Sequence, residues 1–136
     1  MRDAEHTEMT IEKIERPLRS VVRVTARIAP ADVAPWRMPN HAIQIEIEAS
    51  EVERPVSRAY TVRSFDEARG LIEIDFVMHE HDSPAMRWLT RTGKGTTVRL
   101  TGPRPHFMPA YKQGRKAAMF ADETAIPAVY SILRNW

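Results

Sequence analysis

The chain contains no cysteine. Disulfides, thiolate metal ligands and a cysteine nucleophile are therefore excluded, and a reducing compartment is accommodated. It also lacks a surplus of either charge. Against 20 Lys+Arg stand 18 Asp+Glu, a formal net charge of +2, with the basic residues interspersed among acids and aliphatics. So small an excess does not by itself imply a nucleic-acid partner. No apolar run approaches the roughly 20 residues of a membrane span. The opening MRDAEHTEMT is polar and acidic, without the apolar centre of a signal peptide. The default expectation is a soluble cytoplasmic protein with neither a nucleic-acid nor a membrane partner. Three glycine signatures are missing as well: the P-loop, G-x-G-x-x-G and the G-x-S-x-G elbow of serine hydrolases. The GKG at 93–95 reads only as a turn.

What is present at 136 residues suits one domain able to bury a core. Residues 1–17 are charged and aperiodic, and are expected to form a loose leader or a short helix. LRSVVRVTARIAP then alternates Val22, Val24 and Ala26 with Arg23, Thr25 and Arg27, the period-two pattern of a half-buried strand. APADVAPWRMPNH holds three prolines and reads as an irregular connection. HAIQIEIEAS is the clearest strand, with Ile43, Ile45 and Ile47 opposed to Gln44, Glu46 and Glu48. RPVSRAYTVRSF is a third strand, DEARG a turn, and GLIEIDFVMHE a fourth strand. In DSPAMRWLTRTGKG, Asp82 or Ser83 can cap a helix with Pro84 in its first turn and Gly93 after its end. GTTVRLTGP is a further strand and RPHFMPAY a proline-interrupted extended segment. RKAAMFADETAIPAVYSILRNW reads as a short apolar strand, a polar turn and an apolar helix. A β-turn-α unit of this kind needs parallel neighbours, so the chain is expected to be one domain followed by the first piece of a second. Five or six antiparallel strands with one short helix point to a small barrel, which disposes of sheet edges.

Several residues stand out for chemistry. SRAYTVRSF spends two arginines, a tyrosine and a threonine where Val or Ile would pack better. On a flat strand Arg58, Tyr60 and Val62 share one face, and Ala59, Thr61 and Arg63 share the other. Arg58 can offer a planar fork to a phosphate, Tyr60 can lie against a ring, and Thr61 can hydrogen-bond a heteroaromatic edge. A wet, half-exposed strand with arginine stems over the pleat explains the same composition. The N-terminus of the helix at 83–92 is a place for a pyrophosphate, or simply a structural cap. His79 and His81 would face one side of a strand end, but no third metal ligand accompanies them, and site-lining or surface histidines are the plainer reading. Asp122, Glu123 and Thr124 follow a presumptive strand and precede a helix, a ligand-binding place in α/β sheets and equally an ordinary helix start.

In this order and spacing, SRAYTVR, IEIDFVMHEHDSPAMRWL, VRLTGPR and FADETAIPAVYSIL resemble the siderophore-interacting protein family. These are flavin-dependent ferric-siderophore reductases related to the vibriobactin-utilisation protein, within the ferredoxin-reductase-like superfamily. The resemblance spans about residues 18–136. It implies a mainly β fold: a six-stranded antiparallel FAD-binding barrel over 18–115 with one short helix, and over 116–136 the start of a truncated α/β NAD(P)H-binding domain. It implies FAD as cofactor, NAD(P)H as electron donor and a ferric siderophore as substrate. The flavin carries the chemistry, so no protein group is catalytic and no protein metal site is required. By the family pattern Arg58 contacts the FAD phosphates, while Tyr60 and Thr61 lie against the isoalloxazine with Val62 in the same motif. Arg63 and His79 fall close to the cofactor. Asp122, Glu123 and Thr124 match an Asp-Glu-Thr-Ala turn where flavin and nicotinamide meet. The family's Gly-Pro-Ala-Ser at the pyrophosphate helix is here Ser83-Pro84-Ala85-Met86, so phosphate contacts from Ser83, Ala85 and Met86 rest on backbone N–H groups. Pro105 in GPRPHF stands where glycine is frequent. Two other readings compete: an OB-like module binding an oligonucleotide through aromatics spread over one face, and a flavin-binding scaffold served by another protein as reductase.

Overall fold

In the computed structural model, hydrophobic alternation and strand position agree closely. The structure describes residues 6–48, 56–78, 83–105, 113–116, 118–122 and 124–135. The strands are β1 (His6–Leu18), β2 (Val21–Ile28), β3 (His41–Glu48), β4 (Val56–Thr61), β5 (Ser64–Asp66), β6 (Leu71–Val77) and β7 (Thr97–Pro105). The helices are α1 (Pro84–Arg91) and α2 (Ile126–Arg134), with a 3-10 turn at Ala34–Arg37. One antiparallel sheet runs in the order β4-β3-β7-β1-β2-β6-β5. Its inner face carries Val22, Val24 and Ala26 of β2, Ile43, Ile45 and Ile47 of β3, and Ile72, Ile74 and Phe76 of β6, all buried. Trp36 of the 3-10 turn plugs one end at 2% exposure, its ring 5.8 Å from His41 and 6.2 Å from Phe65.

The strand expected over SRAYTVRSF is divided. β4 pairs with β3 and β5 pairs with β6, and they form the two ends of the hydrogen-bonded sheet, which is not closed. The chain itself joins those ends within two residues. Val62 still donates its N–H to His41 of β3 (2.9 Å), and Arg63 already donates to Glu73 of β6 (2.8 Å). A strand that changes partner at a bend is how orthogonal sheets turn corners. Counting β4 and β5 as one bent strand gives the six expected.

Two expectations are corrected. The leader is, from His6 onward, a 13-residue strand that pairs with both β2 and β7. Its period was disguised by register shifts after Ile11 and after Glu15, which leave Met9 and Ile11 buried but turn Ile14 and Leu18 outward. The apolar strand expected just before α2 is absent among the described residues of 113–122, and Phe120 is 96% exposed. A parallel strand forms only against a neighbouring ladder, and no described strand offers it one. The helix that follows does form, and Asn40, in the left-handed region at φ 51, ties its neighbourhood to β3 by donating its N–H to the Ser131 hydroxyl (2.7 Å).

Candidate functional site

β4 is an edge strand, and a cleft of about 410 Å³ opens along it. It is lined by Arg58, Ala59, Tyr60 and Thr61 of β4, Asp75 and Val77 of β6, the cap Ser83 with Ala85 and Met86 of α1, and Thr124 and Pro127 at the start of α2. The volume falls within the range of small-molecule sites. Most residues singled out in the sequence thus converge on one concavity.

Edge position explains why SRAYT is polar. Because Val62 bonds His41, ladder alternation makes Tyr60–Ile43 and Arg58–Ile45 the hydrogen-bonded pairs of β3 and β4. The N–H and C=O groups of Ala59 and Thr61 therefore point away from β3, toward the open edge. Thr61 offers backbone donor and acceptor groups there in addition to its hydroxyl. Tyr60 is half-buried, its ring 4.3 Å from Phe76, which in turn lies 5.4 Å from Trp88 of α1. This tilted aromatic series fixes the ring as a rigid wall and joins the cleft to the core. Burial pushes the Tyr60 hydroxyl pKa up, against a smaller downward pull from Arg58, so at neutral pH Tyr60 presents an uncharged donor. Arg58 is exposed at the mouth, where Nη1 donates to the adjacent Ser57 carbonyl (2.9 Å) and no other partner is found among the described residues.

At α1, Ser83 is the cap, accepting the Met86 N–H at 3.2 Å, with Pro84 in the first turn. Arg87 donates to the Ser83 carbonyl (3.0 Å). Proline has no N–H, so Ala85 supplies the first-turn donor that has no partner among the described residues. α1 can contribute one backbone N–H to an anion rather than several.

Other candidates separate. Val62 is in the core at 1% exposure and does not line the cleft. Arg63 turns away from it and is held by acidic partners (below). Asp122 is exposed and lies in the turn before α2: its Oδ1 accepts from the Thr124 N–H (3.1 Å) and hydroxyl (2.6 Å), and its carbonyl from Ala125 and Ile126. Hydrogen bonds to the carboxylate, that from the Thr124 hydroxyl first, hold its carboxyl below the usual range. Thr124 reaches the cleft and Asp122 does not line it. His79, His81, Asp82 and Glu123 lie outside the described residues. Sequence reasoning missed Ala59, Asp75, Val77 and Pro127. Asp75 stands on the polar face of the β6 alternation opposite Arg23, and only the cross-strand register reveals that this face meets the cleft.

An exposed guanidinium, a rigid aromatic wall, an open strand edge and a capped helix end are complementary to a ligand with phosphate at one end and a flat heteroaromatic ring at the other. FAD fits that donor set. Comparison with known proteins agrees: residues 17–107 match the model of the siderophore-interacting FAD-binding domain. The chain belongs to that family. The ferric acinetobactin reductase of Acinetobacter baumannii is 46% identical over all 136 residues, which cover 48% of that relative. The solved structure of a siderophore-interacting protein from the same organism superposes with TM-score 0.92 at 47% identity, over 99% of this chain and 54% of that one. A ferredoxin reductase of carbazole 1,9a-dioxygenase, 21% identical, shares the fold with TM-score 0.76 over 97% of this chain and 38% of that one. The chain thus spans about half the length of the first of these relatives, and its fold is the mainly β, ferredoxin-reductase-like one that the motifs led one to expect.

Proposed function

We propose that this siderophore-interacting chain is the FAD-binding part of an NAD(P)H-dependent ferric-siderophore reductase of the cytoplasm. The carrying observation is the convergence of Arg58, Tyr60, Thr61, Ser83 and Thr124 on one cleft at an open strand edge. Bound there, a flavin supplies exchange between a two-electron donor and a one-electron acceptor. Arg58 holds phosphate, assisted by the Ala85 N–H. Tyr60 backs the ring system, and the backbone and hydroxyl of Thr61 engage its polar edge. Thr124 and Pro127 limit water on the opposite side. Ferric siderophore is the substrate: on reduction of Fe(III) to Fe(II), hard oxygen donors bind the metal less tightly and release it. Residues 116–136 are the opening of the nicotinamide-binding domain, a reading supported by the outward apolar side chains Phe120, Ile126 and Leu133, at 96%, 46% and 57% exposure. Because β1 belongs to the sheet, we take the FAD-binding domain to begin before residue 18. An oligonucleotide-binding role calls for aromatics spread along a face, whereas Tyr60 is the one aromatic among the described residues that line the cleft.

The test is to load the chain with FAD, photoreduce it anaerobically, and add a ferric catecholate siderophore. Rapid return of the visible flavin band with appearance of chelatable Fe(II) is expected. A reduced flavin that persists in the presence of the ferric complex refutes the reading.

A further inference from the structure

Arg63 follows the cleft residues in sequence yet faces a different set of partners. Its side chain is 14% exposed. Nη1 donates to Glu73 Oε1 at 2.8 Å, and Nε lies 3.8 Å from Asp75 Oδ2. Asp75 is itself anchored by its cross-strand neighbour Arg23, whose Nε and Nη2 donate to the two carboxylate oxygens at 2.8 and 3.2 Å. With its edge engaged by acids of β6, the guanidinium lays its face on α2: the central carbon is 3.7 Å from the centroid of the Tyr130 ring. Nε is buried without a hydrogen-bond partner among the described residues, so the Glu73 hydrogen bond and the ring contact hold the guanidinium, with Asp75 adding an ion pair. Arg134, one turn on, approaches the same ring more loosely at 5.7 Å. On the barrel side, the Asn40 N–H on Ser131 is the neighbouring tie. α2 begins just after Thr124 and has Pro127 in its first turn, and both residues line the cleft.

We propose that Arg63 is a positioning residue: hydrogen-bonded to Glu73 and ion-paired with Asp75, it holds the Tyr130 ring, and thereby keeps the Thr124–Pro127 turn in place along the flavin cleft. It acts on FAD through α2, without touching the phosphates. The proposal rests on the flavin reading of the cleft.

The test is a double-mutant cycle on the 136-residue chain, read by FAD titration and by iodide quenching of the bound flavin. Arg63→Gln and Tyr130→Leu are each expected to weaken FAD binding about fivefold, the scale of one cation–π contact, and to raise iodide quenching. Because both remove the same clamp, the double variant is expected to be no worse than the worse single one. Tyr130→Phe keeps the ring and is expected to behave as the wild type. Losses that add, or wild-type affinity and quenching in Tyr130→Leu, overturn the proposal. If Arg63→Gln fails to fold, Tyr130→Leu against Tyr130→Phe decides alone. If the wild-type chain binds no FAD, the flavin reading falls. Amide exchange then judges the clamp: faster exchange in α2 of Tyr130→Leu than of Tyr130→Phe supports it, and equal exchange refutes it.

Discussion

Replacing Arg58 by alanine should separate binding from folding. The side chain is exposed, and its one hydrogen bond among the described residues goes to the neighbouring Ser57 carbonyl. Its loss should therefore change stability by no more than about 0.5 kcal/mol. A charged hydrogen bond to phosphate contributes roughly 1.5–3 kcal/mol. At about 1.4 kcal/mol per tenfold, that is roughly a tenfold to hundredfold rise in the FAD dissociation constant. Compensation from α1 should be small, because Ser83 and Pro84 leave it with the Ala85 N–H to offer. The group lies at the cleft mouth, so salt should narrow the gap between wild type and variant. Fluorescence titration with FAD at low and high ionic strength, paired with thermal melts, measures both quantities. Arg63→Ala should show the reverse balance, with the larger loss in the melt and the smaller in affinity. Equal affinity losses for the two arginines, or an unchanged dissociation constant for Arg58→Ala, would refute the assignment.

Other perturbations test the supporting structure. Trp36→Ala, which empties a site at 2% exposure between His41 and Phe65, should cost about 3–5 kcal/mol in urea denaturation. Ser83→Ala removes the cap on Met86 and should lower stability by about 1 kcal/mol, with FAD affinity falling by less than in Arg58→Ala. His41 is buried, its Nδ1–H directed at the Met38 carbonyl and its Nε2 without a partner among the described residues, and burial lowers its pKa. The unfolded chain therefore takes up the proton first, so stability should fall as pH drops below about 7 toward the lowered folded value, then level off. In His41→Gln that slope should vanish from urea midpoints measured across the interval, and a slope that survives would place its origin elsewhere.

How much of this was legible beforehand depended on whether a residue's partner was near in sequence. The isoleucines of HAIQIEIE and the valines of VVRVTARI declared their strands because alternation is local. The cap at Ser83 and the proline after it were equally readable. β1 was hidden because two register shifts broke its period, and register is set by the strands alongside. The short apolar run before α2 carried strand propensity with no ladder to join. At the site, the sequence placed Arg58, Tyr60 and Thr61 together but could not tell that the strand changes partner between Val62 and Arg63. That one bend puts Thr61 on the cleft edge and sends Arg63 to Glu73 and Tyr130. Asp75 became visible as a cleft residue only when β6 was set beside β2 and β4.

The central claim is that FAD occupies the cleft along β4 with its ring against Tyr60. Difference absorption and fluorescence titration of the purified 136-residue chain with FAD tests it most directly, with Tyr60→Leu run in parallel. The account predicts a single saturable transition with a perturbed visible band and quenched flavin emission, and in Tyr60→Leu weaker binding with the emission restored. A titration in which the flavin spectrum stays that of free FAD, or in which Tyr60→Leu binds and quenches as the wild type does, would contradict it.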